Sequence, residues 1–388
     1  MSKQIKQLMT RGVEEIIDEK NLINKLSSGK TLRIKLGIDP TSKNIHLGRT
    51  IPLLKLRDFQ EIGHKIILII GDFTGLIGDT SDKDSERPML SEEVVNENLK
   101  SYISQAAKII NINETEIRYN SEWLSKLAYK EIGRQADIFS LNEFISRENI
   151  SKRLDTGKRI SLRELLYPLM QGYDSVQIQA DVELGGTDQR FNLLTGRNLQ
   201  KLYGQEPQDI MTNTIIEGLD GRKMSSSFGN TVNLFDSPND MFGKIMSMKD
   251  DFIVKYFTLL TRIDLDIING YDTDMKAGKN PRDYKILLAH EIVRMYHSEN
   301  DAQSAEEYFT KTISNKEIPD EITAFKPSKY DIFTILTESG LSTSNSDVRR
   351  LIEQGGIKIN GTVITDKNQT LSPGDIIQKG KIRFLKLL

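Results

Sequence analysis

The stretch Lys35-Leu-Gly-Ile-Asp-Pro-Thr-Ser-Lys-Asn-Ile-His-Leu-Gly-Arg49 decides how this chain is read. An apolar strand over Leu32 to Ile38 turns at Asp39-Pro40 and re-emerges as a helix carrying Ile51, Leu53, Leu54, Leu56 and Phe59. A strand that ends in a polar turn and feeds a helix is the first half of a parallel α/β unit. Ligands of such units bind beyond the strand's carboxyl end, where N–H groups at the helix start face an anion. His46 and Gly48 fall at that start. Gly48 removes a side chain where a phosphate would approach, and His46 offers it a hydrogen-bond donor. A His-x-Gly at a helix start is also an ordinary turn, so its meaning depends on the rest of the chain.

Downstream, Lys65-Ile-Ile-Leu-Ile-Ile70 is apolar without alternation, the mark of a parallel strand buried on both faces. It runs into Gly71-Asp-Phe-Thr-Gly-Leu-Ile-Gly-Asp79, where three glycines accompany Thr74 and Asp79 at the same sheet edge. A polar run at 80–90 precedes a helix through Val94, Leu99, Tyr102 and Ile109; a short strand at Ile117–Asn120 leads to the single tryptophan, Trp123. Residues from Leu127 to Leu162 are helical and charge-rich, and read as an insertion between two halves of the sheet. In the following helix Tyr167, Gln171 and Asp174 are spaced i, i+4, i+7 and so share one stripe. That stripe suits a pocket for a small polar ligand or a polar surface. Val176 to Val182 alternates as a strand and ends in Glu183-Leu-Gly-Gly-Thr-Asp-Gln189. A Gly-Gly turn lets a ring or ribose lie against the backbone, and Asp188 can accept from ribose hydroxyls. After a strand at Met211–Ile216, the loop 218–230 holds Arg222, Lys223 and three serines, a composition suited to a lid on a polyphosphate.

Residues 3–28 read as two short amphipathic helices, the first carrying Ile5, Leu8, Val13, Ile16 and Ile17. Beyond Pro238 the texture is helical to Phe309, and Pro319 and Pro327 bracket a linker. The last 60 or so residues form a separate α+β unit with an Asn360-Gly361 hairpin turn. Arg349, Arg350, Lys358, Lys379, Lys381, Arg383 and Lys386 concentrate there, although the whole chain of 388 residues carries a net charge of only −2. Any nucleic-acid contact must therefore come from such a local patch. With no cysteine, the sequence excludes disulfides, thiolate metal sites and a cysteine nucleophile. The four histidines are scattered, and no metal site is expected. No signal-peptide run and no stretch of about 20 apolar residues is present, so the expectation is a cytoplasmic protein without a membrane partner.

The ordered set HLGR (46–49), GDFTGLIGD (71–79), YPLMQGYD (167–174), ELGGTDQ (183–189) and KMSSS (223–227) resembles the class I aminoacyl-tRNA synthetases. Among them it is most similar to the bacterial-type tyrosyl family, whose HIGH and KMSKS signatures match HLGR and KMSSS. The resemblance covers the whole chain. It implies a Rossmann-like parallel-sheet α/β catalytic domain over 1–230, with the helical insertion at about 121–164. An α-helical anticodon-side domain over 231–318 and a small α+β αL-type RNA-binding domain over 328–388 would follow. It further implies activation of L-tyrosine with ATP, transfer to tRNA(Tyr), a homodimer, and Mg²⁺ carried by the nucleotide.

Residue by residue, the resemblance assigns His46, Thr41, Arg49 and Lys223 to catalysis at the triphosphate. Asp39, Gly48, Gly186, Asp188 and Ser226 would complete the ATP site. Asp79, Tyr167, Gln171, Thr74 and Gln189 would surround the tyrosine ammonium and carboxylate. Asp174 would accept from the phenol, beside Lys35. Arg349, Arg350 and Lys358 would meet RNA. Three positions depart from the family pattern: Arg49 for the last histidine of HIGH, Ser226 for the second lysine of KMSKS, and Lys35 where many relatives have a phenol-binding tyrosine. The alternatives are a same-fold enzyme for tryptophan and a non-catalytic RNA-binding relative.

Overall fold

The computed structural model describes residues 2–79, 90–314, 322–367, 369–380 and 383–388. Most of the 80–90 run, Pro319 and Lys381 lie outside the described residues. The chain divides into two compact units: Met1–Phe235 with Met248–Pro281, and Asp236–Ser247 with Arg282–Leu388.

The first unit opens with helix α1 (Lys3–Thr10), strand β1 (Val13–Ile17) and helix α2 (Glu19–Ser27). Here the sequence expectation of two helices is corrected. Gly12, at φ +63°, ends α1, and the Val-Glu-Glu-Ile-Ile run pairs antiparallel with a later strand at Asp209–Asn213. The β-branched residues take the extended form once a sheet edge is available to pair with.

Next come β2 (Arg33–Ile38), α3 (Leu47–Glu61), β3 (Lys65–Ile70), the single turn α4 (Thr74–Ile77), α5 (Glu92–Ala106) and β4 (Thr115–Tyr119). The expected insertion is built of short helices, α6 (Ser121–Leu124), α7 (Tyr129–Asp137), α8 (Leu141–Ile145) and α9 (Glu148–Asp155). Helix α10 (Leu162–Ile178) starts at a capping box formed by Ser161 and Glu164 and runs on through Val176 and Ile178. The strand expected from Val176 is therefore shorter and later, β5 (Val182–Gly186), because α10 ends only when Gln179 turns left-handed at φ 49°. Helix α11 (Arg190–Leu202) and β6 (Asp209–Asn213) complete the core.

The described strands of this unit form one sheet in the order β1-β6-β5-β2-β3-β4. All neighbours are parallel except β1 on β6. Ile66 to Ile70 are buried, as expected for a strand covered on both faces. The chain moves outward from β2 through β3 to β4, then returns to the other flank of β2 as β5 and β6. The order reverses between β2 and β5, which opens a crevice at their carboxyl ends. Helices Ile253–Leu260 and Leu265–Lys276 also belong to this unit.

The second unit contains helices Pro238–Ser247, Pro281–Tyr296 and Glu299–Phe309, then β7 (Thr323–Phe325) and helices Ile332–Glu338 and Asn345–Glu353. Strands β8 (Ile357–Ile359), β9 (Thr362–Val363), β10 (Ile376–Lys379) and β11 (Arg383–Leu387) follow. Asn360 and Gly361 both have positive φ, 50° and 83°, and join β8 to β9 as the turn chemistry requires. Ile332, Ile335, Val348, Ile352, Ile357 and Ile377 pack into this unit's own apolar core.

Candidate active site

A cavity of about 490 Å³ sits at the crevice between β2 and β5. It gathers every site residue expected from the sequence in the catalytic, ATP and tyrosine sets except Lys35. Residues at the carboxyl ends of β2, β3 and β5, one stripe of α10 and the 223–227 loop line it.

One end is cationic. His46 caps α3, and its ring is buried. Burial, then the nearby Arg49 and Lys223 cations, holds its pKa down to about 3, so the imidazole is neutral at physiological pH. Its Nδ1 is buried without a hydrogen-bond partner among the described residues. A Cβ at position 48 would stand 3.1 Å from that nitrogen, so Gly48 keeps the space beside it open. Arg49 turns into the cavity wall, donating to the Tyr102 hydroxyl and, at 3.3 Å, to Thr41 Oγ1. Lys223 rests on Asp188 at 2.8 Å. The loop carrying Lys223 is stapled at its base by the buried Asn230. Its amide donates to Asp220 at 2.7 Å and to the Lys223 carbonyl at 3.1 Å, and accepts from the Ser225 N–H at 2.9 Å.

The 40–45 segment between β2 and α3 has no regular structure, yet its backbone is held by side chains of α5. Asn98 donates to the Pro40 carbonyl at 2.8 Å, and Gln105 accepts from the Ile45 N–H at 2.8 Å while donating to the Lys43 carbonyl. Polar residues at buried positions of a helix are the available signal for this, and neither residue stands out in the sequence.

The opposite end is acidic and closed. Asp39, at the tip of β2, accepts from Thr74 Oγ1 at 2.7 Å and from the Tyr167 hydroxyl at 2.8 Å. A Cβ on Gly71 would lie 1.9 Å from Asp39 Oδ1, so only glycine lets β3 pass this carboxylate. Burial, then Asp39 and Asp79, pushes the Tyr167 phenol well above its ordinary pKa. Asp79 accepts from Gln189 at 2.6 Å, and Asn192 bridges Gln189 and Gln171 at 3.1 and 3.0 Å.

Asp174 is buried, 3% exposed. The Trp123 indole N–H donates to it at 2.8 Å and the Asn120 amide at 3.3 Å. Burial pushes its carboxyl up to about 7, against the downward pull of Lys35, Trp123 and Asn120. Sequence reasoning gives Trp123 and Asn120 no role; a lone tryptophan at the end of a strand beside the expected site is the only hint. The expectation for Lys35 is corrected. Lys35 is not among the residues lining the cavity; its ammonium is fully buried between β2 and α10, 2.8 Å from Glu183.

In the second unit, Arg350 pairs with Asp347 at 2.5 Å and Arg383 with Asp240 at 2.8 Å, while Lys379 donates to the Leu341 carbonyl. Arg349 lies over the Phe333 ring, 5.8 Å from its centre. Much of the basic cluster thus also serves the unit's own structure.

An activated-acid ligase of the nucleotide-binding α/β class is what this fold and cavity describe, with a cationic end for a polyphosphate and an acidic end for an ammonium and a polar side chain. The chain belongs to the class I tRNA synthetases of the tryptophan and tyrosine family, whose model matches residues 27–314. An S4 domain matches residues 332–377. The tyrosine–tRNA ligase of Thermotoga maritima is 45% identical over 99% of this chain and 97% of its own length. That of Burkholderia lata is 46% identical over 97% and 93%. Among solved structures, the tyrosyl-tRNA synthetase of Archaeoglobus fulgidus complexed with L-tyrosine has a TM-score of 0.62 at 23% identity, covering 78% of this chain and all of that one. Plasmodium falciparum tryptophanyl-tRNA synthetase shares the fold at TM-score 0.59 and 17% identity over 79% and 89%.

The Asp174 carboxyl carries a testable cost. Its pKa rises from the ordinary value near 4 in the unfolded chain to about 7 in the folded one. A group raised in this way contributes stability that is full at low pH and is lost as pH rises from about 4 to about 7. Asn at this position does not titrate. Asp174→Asn is expected to raise Tm, and to do so more near pH 8 than near pH 5; an equal gain at both pH values contradicts the assignment.

Proposed function

We propose that this chain is a tyrosine–tRNA ligase. It activates L-tyrosine with ATP, releasing pyrophosphate, and transfers the tyrosyl group to the 3′ end of tRNA(Tyr). The observation that carries the reading is Asp174, a buried acceptor on the same stripe of α10 as Tyr167 and Gln171 at the closed end of the cavity.

In this reading the tyrosine ammonium lies among Asp79, Tyr167, Gln171 and Gln189, with Thr74 and Asp39 fixing the Tyr167 hydroxyl from behind. The phenol donates to Asp174. A phenylalanine would leave that acceptor without its ligand partner. Polar pockets reject analogues lacking a hydroxyl by this kind of loss, and tyrosyl enzymes are themselves the standard example of it. The ribose lies against Gly186 and Asp188.

The substrate carboxylate is already a nucleophile, so the first step needs no general base. Its oxygen attacks the α-phosphorus, and the bond to the bridging oxygen of pyrophosphate breaks. In the second step the terminal tRNA hydroxyl attacks the tyrosyl carbonyl and AMP leaves. The barrier in the first step is charge gathering on the α-phosphate and the leaving group, which fixed donors and cations stabilise. His46 donates as a neutral imidazole, Arg49 and Thr41 hold one side, and Lys223 moves from Asp188 to the pyrophosphate with Ser226 beside it. Mg²⁺ carried by the nucleotide would supply further positive charge for the developing phosphate charge.

Arg349, Arg350 and Lys358 of the S4 domain would contact tRNA phosphates. The inserted helices would form the interface of a homodimer: Tyr129, Ile138, Leu141, Leu154 and Leu162 are large apolar side chains left exposed there, a pattern that marks association surfaces. No helix among the described residues is long and apolar enough to cross a membrane, and we place the enzyme in the cytoplasm.

Three measurements test this. ATP–pyrophosphate exchange across a panel of amino acids is expected to depend on tyrosine, and Asp174→Ala to reduce the preference for tyrosine over phenylalanine by roughly 1.5–3 kcal/mol, the worth of a hydrogen bond to a charged group; exchange driven by tryptophan, or an unchanged preference, refutes it. Replacing Arg349 and Lys358 together with Ala is expected to leave exchange intact and to flatten the log–log salt dependence of tRNA affinity by roughly 1.5. Light scattering at micromolar concentration is expected to give twice the chain mass, and a monomer would contradict the dimer.

A further inference from the structure

Next to the acidic end of the cavity lies a buried polar network, centred on Lys35 and Glu183, which the reaction as described meets only at Gln171. Lys35 on β2 and Glu183 on β5 are register partners, both fully buried, with Nζ 2.8 Å from Oε1. The same ammonium donates to Ser175 Oγ at 2.7 Å and to the Gln171 carbonyl at 2.9 Å. Ser175 donates on to Glu183 Oε2 at 3.0 Å, Gln171 Nε2 donates to Oε1 at 3.3 Å, and Gln208 donates to Oε2. Lys35 is thus fastened to α10 at Gln171 and at Ser175, the residues on either side of Asp174 along that helix. Stability alone does not call for such an arrangement, since well-packed apolar residues often replace a buried ion pair at no cost.

We propose that Lys35 is a positioning residue for the phenol acceptor: clamped by Glu183 and tied to α10 through Gln171 and Ser175, its buried cation keeps the Asp174 carboxylate ionised and in place. The proposal rests on the reading of Asp174 as the group that meets the tyrosine hydroxyl. Three titratable groups face Asp174: Lys35 from β2, Glu183 from β5 and Tyr167 from its own helix, with Asp39 and Asp79 beyond Tyr167. Of these, Lys35 favours the ionised carboxyl, Glu183 opposes it, and burial opposes it most. The opposite charges of the pair partly cancel at Asp174, so Glu183 sets how much of the Lys35 charge is felt there. Selectivity follows from the charge. An ionised Asp174 deprived of the phenol's hydrogen bond by phenylalanine costs more than a neutral acid would.

The test is kcat/KM in ATP–pyrophosphate exchange for tyrosine and for phenylalanine from about pH 6 to about pH 9, a profile that reports free-enzyme groups. In the parent, kcat/KM for tyrosine rises through an acid limb. The double variant Lys35→Met/Glu183→Gln removes both charges. It is expected to move that limb up by about one pH unit, the small end of the effect of a nearby opposite charge, and so to lower the tyrosine-over-phenylalanine ratio near neutral pH. A folded double variant with the parent's limb and ratio overturns the proposal. If the double variant does not fold, Ser175→Ala, which cuts one tie between the ammonium and α10 while keeping both charges, is expected to lower the tyrosine-over-phenylalanine ratio, and an unchanged ratio overturns the proposal. A parent without tyrosine-dependent exchange removes the functional reading and this proposal together, whereas normal parent exchange with unmoved limbs removes only the proposal.

Discussion

The pairing of β2 with β5 is the constraint on which the rest depends, and Lys35 facing Glu183 is its signature. In a sheet the side-chain period is two, so a slip of one residue would turn every side chain on a strand to the opposite face. A slip here would also bury Lys35 without an anion, and breaking a buried pair is destabilising by roughly 3–5 kcal/mol. The ion pair is a weak source of net stability and a strong penalty on the wrong register. Because these two strands flank the point where the sheet order reverses, fixing their register also fixes where Asp39 and Gly186 stand relative to each other. Those residues begin the two walls of the cavity.

From that registered crevice the division of labour follows from charge. The phosphate end collects Arg49 and Lys223 around the start of α3, where the helix N–H groups already favour an anion. Adding a third cation at His46 would be unfavourable, and the ring stays neutral through burial and the two neighbouring charges. The acidic end is arranged so that most carboxylates already have a protein donor: Asp39 has Thr74 and Tyr167, Asp79 has Gln189, Asp174 has Trp123 and Asn120. Those donors hold the carboxylates in position ahead of the ligand, so reorganisation on binding is small.

What is legible in the sequence follows the same logic. The strand–turn–helix at 32–59, the buried strand at 65–70, the polar stripe on α10 and the glycine-rich turns are local patterns, and each lies where its pattern predicts. The Val13–Ile17 strand reads as a helix because its conformation is set by a partner about two hundred residues away, not by its own periodicity. Asn98, Gln105, Asn120 and Trp123 escape notice for a related reason. Their chemistry consists of hydrogen bonds to segments far along the chain, and a buried polar side chain looks the same in sequence as an exposed one.

Lys35 is the instructive error. By the family resemblance it belongs beside the phenol, and by geometry it lies under α10, outside the cavity lining. The two views agree once burial is considered. A lysine ammonium is a strongly hydrated point charge, and next to Asp174 in the cavity it would pair with that carboxylate and compete with the phenol for it. Buried under α10, with Glu183 as its direct partner, it leaves the cavity face of Asp174 to the substrate while its field still reaches the carboxylate. A tyrosine at this position could reach the phenol itself; a lysine can influence it only through another residue, and the Glu183, Ser175 and Gln208 network is what that substitution requires around it.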